Sequence, residues 1–209
     1  VNAIVFLKLA ELYEKTEGLV ASIEVLLRGK ERGFQEFDEP LANYYIRNSQ
    51  PEKAYELTKN ELTKSRALMD MGKNDEAFEI LNRVKEQYKE QPLMHSLLAQ
   101  YYFQKGMTDE AFKEIDEYEK LDSNSPLIYQ MRALIYEELE DSFNEHLNWA
   151  KYNLIKGEKE VALNEYMIAY QFNDKDANLI ETIAAMLSVT IFFGKPICLR
   201  TSIKHLRKS

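Results

Sequence analysis

The string G-x-x-D-E-A-F occurs twice, and its two copies stand 34 residues apart. Gly72, Asp75, Glu76, Ala77 and Phe78 recur at Gly106, Asp109, Glu110, Ala111 and Phe112. A recurrence at a fixed period of 20–50 residues marks a chain built by stacking one supersecondary unit. Thirty-four residues accommodate two helices of about 13 residues and two tight turns. In such a unit glycine ends the first helix in a left-handed conformation. Asn74 or Thr108 is expected to cap the second helix. The Asp-Glu pair then sits in its first turn, at the positive end of the helix dipole. The alanine allows close approach of two antiparallel helices, and the phenylalanine fills their seam.

The pattern extends beyond these two copies. Small residues occupy the middle of successive first helices at Ala10, Ala42, Ser65, Ala99, Ala133 and Ala150. Tyr13, Tyr45, Leu68, Tyr102 and Tyr136 follow three residues later, with Asn153 as a polar departure. Small residues of the second helices are Ser22, Ala54, Ala77, Ala111 and Ala162, and Pro92 and Pro126 open new helices. Two spacings break the period. Ala54 to Ala77 is 23 residues, which predicts one continuous helix from near Pro51 to about Met71. Gly106 to Gly157 is 51, which predicts either two consecutive helices at 127–139 and 142–156 or one long bent helix.

Residues 97–126, LLAQYYFQKGMTDEAFKEIDEYEKLDSNSP, carry Ala99, Tyr102, Gly106, Ala111 and Pro126 at spacings that resemble the tetratricopeptide repeat family. The resemblance covers roughly residues 3–181. It implies an all-α, right-handed α-solenoid of antiparallel helix pairs, in units near 3–36, 35–62, 58–91, 92–125 and 126–176. A terminal capping helix and basic tail are expected over 182–209. The resemblance also implies that first helices line a concave groove that takes a peptide or helix of a partner protein. Carrying the inner-facing positions over gives Glu11, Glu14 and Lys15, then Asn43, Ile46 and Arg47. Ser96, Gln100, Phe103 and Gln104 follow, and then Gln130, Leu134 and Glu137. Of these, Asn43, Arg47, Gln100, Gln104 and Gln130 are the expected peptide contacts, because amides serve peptide backbone and arginine a carboxylate. The two-carboxylate clamp of some members is not expected. Glu11 stands where that clamp places asparagine, and Thr63 where it places an arginine.

Charge and composition narrow the partner. The formal charge is −8 and the pI about 5.1, so nucleic acid is not an expected partner. The longest nearly apolar stretch, 183–193, is too short to span a bilayer. With one cysteine, Cys198, and no basic stretch followed by an apolar core near the start, the expected location is the cytoplasm. From Thr182 onward there is no Asp or Glu but five basic residues, Lys195, Arg200, Lys204, Arg207 and Lys208, while residues 1–181 carry 22 basic and 35 acidic groups. Ile183, Leu187, Ile191 and Phe192 require an apolar neighbour, and self-association through 183–193 is one way to supply it.

Nothing in the pattern points to catalysis. His95, His146 and His205 are isolated in sequence, so neither a metal site nor a cofactor is predicted. No phosphate-cradling glycine motif or nucleophile motif occurs. The carboxylates of YEELED at 136–141 read as a solvated helix face. The expectation is a non-enzymatic scaffold or adaptor. The alternatives are a sensor or substrate-recruiting arm of a larger enzyme, and a self-assembling repeat protein.

Overall fold

The computed structural model describes residues 2–192, with side chains as far as residue 188. Among them are twelve α-helices, one 3-10 turn and no strand. They are α1 (Ala3–Thr16), α2 (Leu19–Glu31), the turn Gln35–Phe37, α3 (Asp38–Arg47), α4 (Pro51–Leu57), α5 (Glu61–Asp70) and α6 (Asn74–Tyr88). α7 (Pro92–Gln104), α8 (Thr108–Leu121), α9 (Pro126–Glu138), α10 (Ser142–Ile155), α11 (Lys159–Phe172) and α12 (Ala177–Phe192) complete the series. The chain divides into two compact units, Val1–Ser123 and Asn124–Ser209.

In the first unit consecutive helices pair as hairpins, α1 with α2, α3 with α4, α5 with α6 and α7 with α8. The small residues explain how. All eleven seam positions, from Ala10 and Ser22 to Ala150 and Ala162, are 2% exposed or less. A larger side chain at any of them would force the helix axes apart. Ser22 adds a direct link, its hydroxyl donating to the Ala10 carbonyl across the α1–α2 seam (2.8 Å). Gly29 on α2 marks the closest approach: a Cβ there would lie 2.1 Å from the ring of Phe37. Phe6, Phe34 and Phe37 pack as a tilted trio, with centroids 5.6–5.9 Å apart.

Apart from the α1–α2 turn, the turns between paired helices share one backbone design. Gly72, Gly106 and Gly157 have φ of 76°, 72° and 81°. After each, the next residue's N–H donates five residues back, as in Lys73 to Leu68 (2.8 Å), Met107 to Tyr102 (2.9 Å) and Glu158 to Asn153 (2.9 Å). The same turn, with the same bond, is built without glycine at Ser49 (φ 56°) and Glu140 (φ 57°). Glu140 lies 34 residues after Gly106, so the period continues where its glycine does not.

Three local expectations are settled by these turns. Asn74 and Thr108 do not cap their helices. The left-handed residue leads so directly into the helix that the caps are Lys73 and Met107, without side-chain bonds. Asn74 is already helical, and its side-chain oxygen is buried without a partner. The continuous helix expected over 51–71 is broken. Thr58 turns the chain to extended geometry, and Asn60 starts α5 by accepting from the N–H groups of Leu62 and Thr63 (2.9 and 3.2 Å). At 126–156 the two-helix option is the one adopted, as α9 and α10.

In the second unit α10 packs along both α9 and α11, and α12 follows on α11. Ile183 and Leu187 find their apolar neighbours there, with Leu163, Tyr166 and Leu179. Phe193, Cys198, His205 and the five basic residues of the tail lie outside the described residues, as do the side chains of Ile191 and Phe192.

Candidate functional site

The first helices of the first unit, α1, α3, α5 and α7, are joined side by side. Glu14 on α1 accepts from the Tyr44 hydroxyl (3.2 Å) and from the Arg47 guanidinium, both on α3. Arg47 holds the Glu14 carboxyl below the usual carboxylate range. Glu39 on α3 accepts from the hydroxyls of Thr58 and Thr63, on either side of the break that starts α5. α5 in turn packs against α7. Thr63 is therefore buried in a structural contact, and its position is not open to a ligand.

The seam residues set the register of the outward face. The residues one and five places after Ala10, Ala42 and Ala99 are Glu11 and Lys15, Asn43 and Arg47, and Gln100 and Gln104. The same offset from Ser65 gives Arg66 and Asp70 on α5. Reading 51–71 as one helix hides this pair, although Ser65 itself carries the signal.

Groups along this face differ in how far they are engaged within the chain. Glu11 pairs with Lys8 (2.7 Å). Asn43 is half-buried and donates from Nδ2 to the Glu39 carbonyl (3.0 Å), and its side-chain oxygen accepts no hydrogen bond among the described residues. Arg47 is exposed, bonded to Glu14, and lies over the Tyr44 ring at 5.5 Å. Ile46 and Ser96 are buried, and Ser96 donates to the Leu93 carbonyl. On α5 and α7 the picture changes. Gln100 and Gln104 are exposed, Phe103 is half-exposed and Arg66 is half-buried. Arg66, Gln100 and Gln104 make no hydrogen bond or ion pair among the described residues. Burial of its surroundings pushes the Asp70 carboxyl up, and the Arg66 charge pulls it part of the way back. In the second unit, Gln130 on α9 is half-buried, with Leu134 and Glu137 exposed.

The face offers amide donors and acceptors, a guanidinium and an aromatic edge. It contains no nucleophile with an adjacent base. No group of three or more potential metal ligands occurs among the described residues, and no helix there is long and apolar enough to cross a membrane. Comparison of the chain with family models and with curated proteins finds no match. The repeat reading therefore rests on the residues and on the helical architecture.

Proposed function

We propose that the first unit is a protein-interaction module, which binds a segment of a partner along the outward face of α1, α3, α5 and α7. The observation that carries this reading is the contrast along that face. Polar pairs recur at one register on four laterally joined helices, and on α5 and α7 Arg66, Gln100 and Gln104 make no hydrogen bond or ion pair among the described residues. An exposed helix face that only needs solvation is served by lysine and glutamate. Amides that neither repel nor pair with their neighbours are suited to a peptide backbone, which presents donors and acceptors in alternation. Arg66, Gln100 and Gln104 are the principal contacts. Asn43 adds its side-chain carbonyl oxygen and Arg47 its remaining N–H groups. The tetratricopeptide resemblance supports the same face, since first helices carry the peptide in that family. The function is that of a scaffold or adaptor in the cytoplasm, and the chemistry of the face is recognition.

A displayed library of unstructured protein segments, selected on the intact chain, tests this. Segments enriched on the wild type should bind a Gln100→Ala, Gln104→Ala variant at least tenfold more weakly, a loss of about 1.4 kcal/mol. Equal binding to both proteins, with the variant's helix content unchanged, would place recognition elsewhere.

A further inference from the structure

The small-residue seam that pairs the helices has one further member by period. Ala184 on α12 stands 34 residues after Ala150 and 51 after Ala133. At the eleven other seam positions a neighbouring helix covers the small residue, and none is more than 2% exposed. Ala184 is exposed. Ile180, 43% exposed, and the half-buried Leu187 share its face at helical spacing, while Leu179 and Ile183 pack with Leu163 and Tyr166 of α11. α12 thus has the features of a first helix whose seam is open.

Residues 193–209 lie outside the described residues, and their sequence bears on what fills that seam. In the turns at Gly72, Gly106 and Gly157 the glycine follows the small residue of the first helix by seven and precedes that of the second by five. One residue, Lys73, Met107 or Glu158, separates it from the start of the next helix. The position seven after Ala184 is Ile191, still within α12, which runs to Phe192. The next glycine is Gly194, three residues later. Lys195 then takes the separating place and Pro196 the first helical one, where proline is favoured and holds the preceding residue out of the helical region. The helices of a hairpin run antiparallel, so three more residues before the turn demand three more after it. The counterpart of Ala184 is therefore eight residues past Gly194, and that residue is the small Ser202.

The rest of the segment agrees with this register. Along a helix from Pro196 to Lys208, Leu199, Ser202, Ile203 and Leu206 fall on one face, and Arg200, Lys204, Arg207 and Lys208 fall away from it. Its 13 residues match the length of α7 and α9. Charge is complementary as well. The segment has no acidic residue, whereas residues 124–181 carry eleven acidic and five basic groups.

We propose that residues 196–208 dock as a helix on α12, with Ser202 against Ala184, and close a last hairpin of the second unit. The docked segment covers Ile180 and Leu187, and so withholds that apolar face from a second copy of the chain. This contact lies within the second unit and is independent of the recognition face proposed for α1, α3, α5 and α7.

Two measurements on the full chain test the contact. Cys198 is the one cysteine and lies at the edge of the proposed docking face, so a nitroxide can be attached there without any substitution. It should broaden the amide signals of residues 181–188. Spin-labelled protein of natural isotope content, mixed with nitrogen-15-labelled Cys198→Ala protein, should broaden none of them. Broadening in the mixture would assign the face to a second copy, and no broadening in either sample would leave it uncovered; both overturn the proposal. The register is read by disulfides in a Cys198→Ala background. Ala184→Cys with Ser202→Cys should close within one chain at least tenfold more completely than Ala184→Cys with Thr201→Cys, which points away from the docking face. Equal closure of the two pairs, or disulfide-linked dimers, overturns the register. If the double variants do not fold, the spin-label measurement alone upholds or overturns the docking.

Discussion

Replacing Glu140 by glycine should stabilise the protein. Glu140 holds φ at 57° in the turn between α9 and α10, where the period-34 pattern places glycine at Gly72 and Gly106. For a residue with a Cβ this conformation costs about 1–2 kcal/mol. Glycine removes that cost but adds freedom to the unfolded chain, which returns about 0.5–1 kcal/mol. The side chain of Glu140 is exposed and makes no bond among the described residues, so its deletion forfeits no contact. The expected net gain is about 0.5–1 kcal/mol. Urea denaturation followed by tryptophan fluorescence isolates the effect, because the one tryptophan, Trp149, lies on α10, the helix that this turn begins. The midpoint should rise with the slope unchanged. The mirror experiment, Gly106→Ala, imposes the same strain where it is now absent, with open space around the added methyl. It should lower stability by about 1 kcal/mol, read by far-ultraviolet dichroism. If Glu140→Gly lowers the midpoint or leaves it unmoved, the left-handed turn is not a source of strain and the reasoning fails.

Gly29→Ala should destabilise the first unit by an amount at the upper end of the about 1–3 kcal/mol seen for overpacking, since the new methyl meets a fully buried Phe37 ring that has nowhere to turn; thermal melts would show it, and an unchanged melt would mean that the contact is not this tight. Asn60→Ala removes both bonds that start α5 and should cost about 1 kcal/mol, with faster amide exchange at residues 61–64 as the local signature. Asp70→Asn should be stabilising at neutral pH and neutral in effect at strong acid. The carboxyl is raised in the folded state, so folding favours its protonated form, and the wild type loses stability relative to the variant as pH climbs through the carboxylate range. Denaturation curves of both proteins across that range would check the sign, and a gap that widens toward acid would refute it.

What the sequence reveals about this fold depends on whether a physical requirement narrows the residue choice. A helix seam with axes in close contact accepts only Ala, Ser or Gly, so the eleven seam positions are legible from residue type and spacing, and all are buried. A left-handed turn prefers glycine but tolerates others at a cost, so Gly72 and Gly106 are legible while Ser49 and Glu140 are not. The break at 58–60 is hidden for a related reason. Its signal is one asparagine cap, whose partners are the next turn's N–H groups, and a Glu39 carboxylate that comes from another hairpin. The pairing of His95 with Glu114 is beyond reach, because a contact 19 residues apart across a seam requires the register of both helices. The recognition face stands between these cases. Arg66 and Asp70 follow from Ser65 by the same rule that gives Gln100 and Gln104 from Ala99, once α5 is known to start at Glu61.

The two periods, 34 and 51, meet in α10, and their coincidence explains the character of that helix. Counted by 34, the turn at Gly106 recurs at Glu140, which makes α10 the second helix of a hairpin with α9. Counted by 51, the seam pair Ala99 and Ala111 recurs at Ala150 and Ala162, which makes α10 the first helix of a hairpin with α11. The Lys105–Tyr101 and Lys156–Tyr152 contacts, at 5.5 and 5.0 Å, repeat the second register, as do His95–Glu114 and His146–Glu165. A helix that serves as both partners has packed faces on opposite sides, and none of residues 141–153 is exposed. Such enclosure would favour an apolar helix, yet α10 carries three asparagines. Each donates to an acceptor within reach of its own turn: Asn148 to the Asn144 carbonyl (2.7 Å), Asn153 to the Trp149 carbonyl (2.9 Å) and Asn144 to the Asp141 carboxylate (2.7 Å). Because these side chains satisfy themselves locally, α10 can present either flank to a neighbour without leaving a buried donor unpaired. The polar departure at Asn153, which breaks the aromatic pattern of the other first helices, is the mark of a helix that belongs to two hairpins at once.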